Sequence, residues 1–135
     1  MERWQKILAW CLLGLLGVAV FVAVALHHQV KQTVPDCYAQ WATAELIIAH
    51  QKDKQRLPAN WAELQPYFKG SAPHTGGQSF DQIRARVQID FAALPQLELD
   101  HGEGRVPEVI TCVSGIGAHW AGGEPNELVY AEFRK

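Results

Sequence analysis

The sequence predicts an α+β protein: an N-terminal transmembrane helix, then an amphipathic helix packed on a small antiparallel sheet of three to four strands. Three observations carry this expectation. Residues 7–26 form an apolar run without a charged side chain. Residues 34–55 repeat apolar side chains at helical spacing, and residues 82–91 alternate apolar and polar. Helical pattern first and strand pattern afterwards is the order of an α+β domain. The length of 135 residues holds one modest domain and one extra element. Twelve Lys and Arg against fourteen Asp and Glu give a net charge of −2, so no nucleic-acid partner is expected. A hydrophobic content of 48% excludes a disordered or collagenous chain.

The run ILAWCLLGLLGVAVFVAVAL at 7–26 is long enough, as a helix, to cross the roughly 30 Å hydrocarbon layer of a bilayer. Only a helix satisfies its own backbone there. Arg3 and Lys6 precede the run, and Ala23-Val24-Ala25 also fits a small-x-small cleavage pattern, so a cleavable signal peptide competes with an uncleaved signal anchor. The run exceeds the usual signal-peptide core, which favours the anchor. Arg3 and Lys6 outweigh Lys31 on the other side, placing the amino terminus in the cytoplasm. The expected organisation is a cytoplasmic N-terminus (1–6), a transmembrane helix (7–26), a polar stem (27–33) and an exported α+β domain (34–135). The protein is thus expected in the cell membrane, single-pass, with its C-terminal domain periplasmic or extracellular. Gly14, Gly17, Ala19 and Ala23 are small residues that let another helix approach, so membrane lipid and a protein partner or second copy are the expected contacts.

In the exported part, Thr33 is a helix cap, Pro35 is tolerated in the first turn, and Asp36 supplies a carboxylate there. Cys37, Trp41, Ala44 and Ile48 make one apolar face, widened by Tyr38 and Ile47; Lys52, Lys54 and Arg56 gather at the carboxyl end. Leu57-Pro58-Ala59 breaks the helix. Asn60 with Glu63 caps a short turn to about residue 65, from which Trp61, Leu64 and Phe68 fold back on the first helix. Residues 71–79 read as a loop. Ile83, Ala85, Val87, Ile89 and Phe91 predict the inner face of a strand over 82–91, with Arg84 and Arg86 in water. Further strands are expected at 96–99, 109–113 and 128–133, separated by a turn at 101–104 and a glycine-containing loop at 115–126.

This order of elements, with LPANWAELQPYF after the amphipathic helix, resembles type II secretion pseudopilins and type IV pilin-like proteins. Leu57, Pro58, Trp61, Leu64 and Tyr67 carry the resemblance. It implies a pilin-like architecture, and with it a non-catalytic scaffolding or recognition role in a pilin-like or secretion-type assembly. The family's processing signature, Gly or Ala before Phe and a glutamate shortly inside the apolar run, is absent: Lys6-Ile7-Leu8 stands there, with no acid over 7–26. No functional residue is carried over.

Chemistry-bearing residues are few. Cys11 lies in the apolar run and reads as a small hydrophobe. Cys37 and Cys112 are both exported and form a candidate disulfide, with two buried thiols as the alternative. The six histidines show no short metal-ligand spacing and the cysteines no CxxC; Asp100-His101-Gly102-Glu103 reads as a solvated turn rather than a ligand cluster, so no metal or cofactor is expected. Ser114 lacks the GxSxG context of a nucleophile, and no catalytic residue is assigned. The loop bearing His119, Trp120, Gly122 and Gly123 is the candidate partner contact, because Trp anchors interfaces well. An exported ligand-binding module built on Trp120, or a small envelope hydrolase or redox protein using Cys37 or Cys112, are the alternative functions.

Overall fold

A computed structural model describes residues 2–69, 73–115 and 123–135. It is α+β: one long helix with an apolar N-terminal half, three further helices and a two-stranded antiparallel sheet. Helix α1 spans Arg3–Lys54. The chain divides into two compact units, one ending at Gln32 and one spanning Thr33–Lys135.

The first unit is the amino-terminal part of α1. It is long and apolar enough to cross a membrane. Its described residues are all exposed, including Trp10 and Phe21, which keep 74% and 75% of their surface. No helix start occurs at Thr33. Residues 27–33 are helical and Pro35 lies inside α1. A proline costs about 3 kcal/mol inside a helix, but helical turns propagate from both sides of it. The Pro35 carbonyl also accepts a bond from Gln78 Nε2 at 2.9 Å.

In the second unit, α1 contributes Ala39, Thr43, Leu46, Ile47 and His50 to the interior. The expected face is met at Ala44 and Ile47, which are fully buried, and at Ile48, which packs on the core; the buried stripe also takes in residues beyond it. Cys37, Trp41 and Ile48 are only half-buried, while Asp36, Gln40, Thr43 and His50 are buried. Thr43 Oγ1 donates to the Ala39 carbonyl at 2.8 Å, while Gln40 Oε1 is buried without a hydrogen-bond partner among the described residues.

Helix α2 (Trp61–Leu64) follows the predicted break, with the Glu63 N–H donating to Asn60 Oδ1 at 3.2 Å. Leu64 is fully buried, and Trp61 and Phe68 pack on the core as expected. Their rings meet Phe80 edge-on, with centroids 5.9 and 5.7 Å away.

The expected strand over 82–91 is half helix. Helix α3 (Phe80–Arg86) comes first and strand β1 (Val87–Ile89) after it. Ser79 and Gln82 form a reciprocal capping box, which fixes a helical start that alternation alone does not reveal. Phe80, Ile83 and Val87 are buried at helical spacing, and Ala85, placed inside by alternation, is exposed. Asp90 Oδ1 then accepts the N–H groups of Ala92 and Ala93, turning the chain. Of the strand expected at 96–99, residues 96–98 belong instead to a 3-10 helix, Leu94–Glu98, with Pro95 in its first turn.

Strand β2 (Ile110–Cys112) lies within the predicted 109–113 segment. It pairs antiparallel with β1 in the register Val87↔Cys112 and Ile89↔Ile110. The predicted last strand is helix α4 (Pro125–Phe133). Glu124 caps it by accepting the Glu127 N–H at 3.2 Å, and Pro125 occupies the first turn. Two of the expected strands are thus helical, and the sheet among the described residues has two strands rather than three or four.

Candidate functional site

One polar group in the folded unit is centred on Asp36. Its side chain is buried at the start of the packed part of α1. Arg86, at the end of α3, donates from Nη1 to Asp36 Oδ1 at 2.8 Å. Ser114, just past β2, donates from Oγ to Oδ2 at 2.6 Å. The Cys112 thiol donates to the Asp36 backbone carbonyl at 3.6 Å. One residue of α1 thereby holds the ends of α3 and β2. Arg86, expected in water, is drawn in because a buried carboxylate needs a cation and hydrogen-bond donors.

Burial pushes the Cys112 thiol up to about 12, with the Asp36 carboxylate and then Cys37 adding to the rise; Arg86 opposes it. A thiol held so high carries almost no thiolate near neutrality, so Cys112 is a poor initiating nucleophile. Cys37, half-buried, follows Asp36 directly in the chain. No sulfur–sulfur bond is formed among the described residues.

A second polar group lies at the carboxyl end of α1. His50 is buried, and its Nδ1 donates to the Arg56 carbonyl at 3.0 Å. Its Nε2 faces Glu63 Oε2 at 3.3 Å, and Arg56 Nη1 reaches the same oxygen at 2.9 Å. The Arg56 guanidinium, bonded to Glu63, holds that carboxyl below its usual range. Beside it Tyr67 donates its hydroxyl to Asp53 Oδ2 at 2.5 Å. That bond lowers the Asp53 carboxyl and raises the Tyr67 phenol. These residues line a cleft of about 330 Å³ together with Lys54 and Pro66. A neighbouring cleft of about 200 Å³, lined by Ala42, Leu46, Ala49 and Phe68 among others, shares Tyr67.

A third contact fixes the turn Pro73–Thr75 on α1. Glu45 Oε1 accepts from His74 Nδ1 at 2.6 Å and from Trp41 Nε1 at 3.2 Å. Gly76 then passes over the Tyr38 ring with φ +60°, and a Cβ there would stand 2.8 Å from Tyr38 Cγ.

Of the residues singled out in the sequence, Cys37 and Cys112 are brought to the same polar cluster. Gly14 and Gly17 lie on α1 with open space where a side chain would stand, and Ala19 and Ala23 are exposed. His119, Trp120 and Gly122 lie outside the described residues. Gly123 is described, with φ +111° just before α4. Asp36, Arg86, Ser114, His50 and Glu63 were not singled out as site residues. Glu63 carries a capping signal and Asp36 a first-turn carboxylate; Arg86 and Ser114 meet Asp36 from far along the chain, and His50 meets Arg56 and Glu63 only across the helix break.

Among the described residues, no group of three or more His, Cys, Asp or Glu is placed to hold a metal ion. The two main polar clusters chiefly tie elements together. Compared with models of known families, with curated proteins and with solved structures, the chain matches none.

Proposed function

We propose that the chain is a single-pass membrane protein with its amino terminus in the cytoplasm. Its Thr33–Lys135 unit is displayed on the periplasmic or extracellular side. There the unit acts without catalysis, as a scaffolding or recognition domain in a pilin-like or secretion-type assembly. One observation carries this reading. The apolar residues 7–26 are helical and exposed around the whole helix, and the same helix continues into the part of α1 that lines the core. An apolar helical surface exposed to water costs about 25 cal/mol for each Å², which lipid or a partner helix removes. The small positive excess before the apolar run sets the orientation.

The element order supports the pilin-like part of the reading. A helix apolar in its first half and packed in its second leads into Leu57-Pro58, Trp61 and Leu64, and the last three side chains close on the core or lie buried beside it. The test is alkaline carbonate extraction of native membranes followed by chemical cross-linking of the full-length chain. The expected result is a chain that stays in the membrane pellet and cross-links to a second copy or another envelope protein. Release into the soluble fraction, or a solitary monomer, contradicts the proposal.

A further inference from the structure

We propose that Cys37 and Cys112 are a redox pair, closed to a disulfide by exchange with an external disulfide, which locks α1 to β2. The proposal concerns the Thr33–Lys135 unit alone and does not rest on the anchoring or assembly reading.

The geometry supplies the argument. The Cys112 sulfur stands 3.6 Å from the carbonyl oxygen of Asp36, whose peptide bond leads straight into Cys37. Arg86 and Ser114 hold the Asp36 side chain from either flank of the β1–β2 pair. Three contacts therefore fix the Cys37 turn of α1 over the end of β2. Cys112 is buried on the inner side of the sheet, opposite Val87, and Cys37 keeps part of its surface in solvent. A disulfide needs two Cα atoms within about 7 Å, an arrangement this juxtaposition favours without dismantling either element.

The burial difference sets the order of events. The reachable Cys37 thiolate attacks one sulfur of the donor disulfide; that bond breaks, and one donor thiolate leaves. Cys112 then attacks the Cys37 sulfur of the mixed disulfide, gives up its proton to solvent and expels the second donor thiolate. Two protein thiols lose two protons and two electrons, and the donor disulfide becomes two thiols. The buried Cys112 thiol resists deprotonation, so the second step is the slow one and the mixed disulfide at Cys37 builds up before it closes. Closure links positions 37 and 112, far apart in the chain, and removes freedom chiefly from the unfolded state.

The experiment uses the full-length chain in detergent carrying Cys11→Ser, treated with oxidised glutathione at mildly alkaline pH. The expected product is lighter by two hydrogens, carries no glutathione, and yields a 37–112 cross-linked peptide on non-reducing digestion. Its Tm rises by more than about 5 °C over the reduced form, and dithiothreitol reverses the rise. Cys37→Ser abolishes both changes. Cys112→Ala stops at a stable glutathione adduct on Cys37, showing that the helical thiol reacts first. A folded protein whose adduct never closes to the cross-link at equilibrium, that links between copies, or that does not react overturns the proposal.

Discussion

Asn126 pairs with Ile110 as a neighbouring strand would. Its Oδ1 accepts the Ile110 N–H at 2.7 Å, and its Nδ2 donates to the Ile110 carbonyl at 3.1 Å. The same Oδ1 accepts the Val109 N–H at 2.8 Å. In the antiparallel register Ile110 faces Ile89 as a non-hydrogen-bonded pair, so its own N–H and C=O point away from β1. One fully buried side chain at the start of α4 thus satisfies the outer edge of β2.

Replacing that side chain exposes the dependence. Asn126→Ala leaves two buried N–H groups and a carbonyl without partners, and is expected to cost about 2–4 kcal/mol. Asn126→Asp keeps the acceptor but removes both donations from Nδ2, and its new charge meets Glu124, the other Nδ2 acceptor at 2.5 Å. Both variants are expected to unfold at lower urea than the parent, with an unchanged m-value. A midpoint within error of the parent contradicts the edge-closing role.

The Asp36–Arg86 pair is predicted to be asymmetric. Arg86→Ala leaves a buried carboxylate with Ser114 as its remaining side-chain donor among the described residues, at an expected cost of about 2–4 kcal/mol. Asp36→Asn keeps the shape and an acceptor, while Arg86, whose side chain is 40% exposed, still reaches water; about 1–2 kcal/mol is expected. Chemical denaturation of the two variants measures the order, and equal costs contradict it.

Acid is predicted to loosen the fold. Asp53 is held below its ordinary value of 3.8 by the Tyr67 hydroxyl, and Glu63 below 4.5 by Arg56. Asp100 is lowered chiefly by the Gly102 N–H, and Glu132 chiefly by Lys135. A carboxyl lowered in the folded state contributes stability that is whole above its unfolded value and lost as pH falls through the folded one. Tm is therefore expected to fall as pH drops below about 4.5. Asp53 and Asp100 are exposed and Glu63 and Glu132 half-buried near the surface, so each contributes modestly. Glu63→Gln is expected to flatten part of the slope, and a Tm that rises with acid contradicts the assignment.

Two adjacent glycines offer a paired test of close packing. Gly76 and Gly77 both hold left-handed backbone, at φ +60° and +78°. Gly76→Ala meets both that strain and the Tyr38 ring; Gly77→Ala meets open space and the strain alone. The expected costs are about 2–4 kcal/mol and about 1 kcal/mol. Thermal unfolding of the pair checks the difference, and equal losses remove the Tyr38 contact as a packing constraint.

Much of the architecture was legible in the residues, and the failures have physical causes. The apolar run, the amphipathic second half of α1, the break at Leu57-Pro58, the Asn60 cap and the β-branched strand at Ile110 rest on local signals. The segment at 82–91 misled because alternation and helical spacing share Ile83 and Val87, with Arg84 and Arg86 outside in both. Ser79 with Gln82 was the signal that decides it. Glu124, Pro125 and Glu127 likewise announced α4 beneath a strand-like composition. The interior face of α1 reaches beyond the apolar stripe because a hydrophobicity pattern cannot place Asp36, Thr43 or His50 inside. Their partners stand at Arg86 and Ser114, at the Ala39 carbonyl, and at Arg56 and Glu63. The polar clusters were illegible for the same reason: only folding brings position 36 to 86 and 114.

The central claim is that residues 7–26 cross a bilayer and carry the Thr33–Lys135 unit to the far side. A dual reporter fused after Lys135, with one half active only in the cytosol and the other only outside it, tests this directly. The account predicts activity of the outer reporter and silence of the cytosolic one; a fusion active in the cytosol contradicts it.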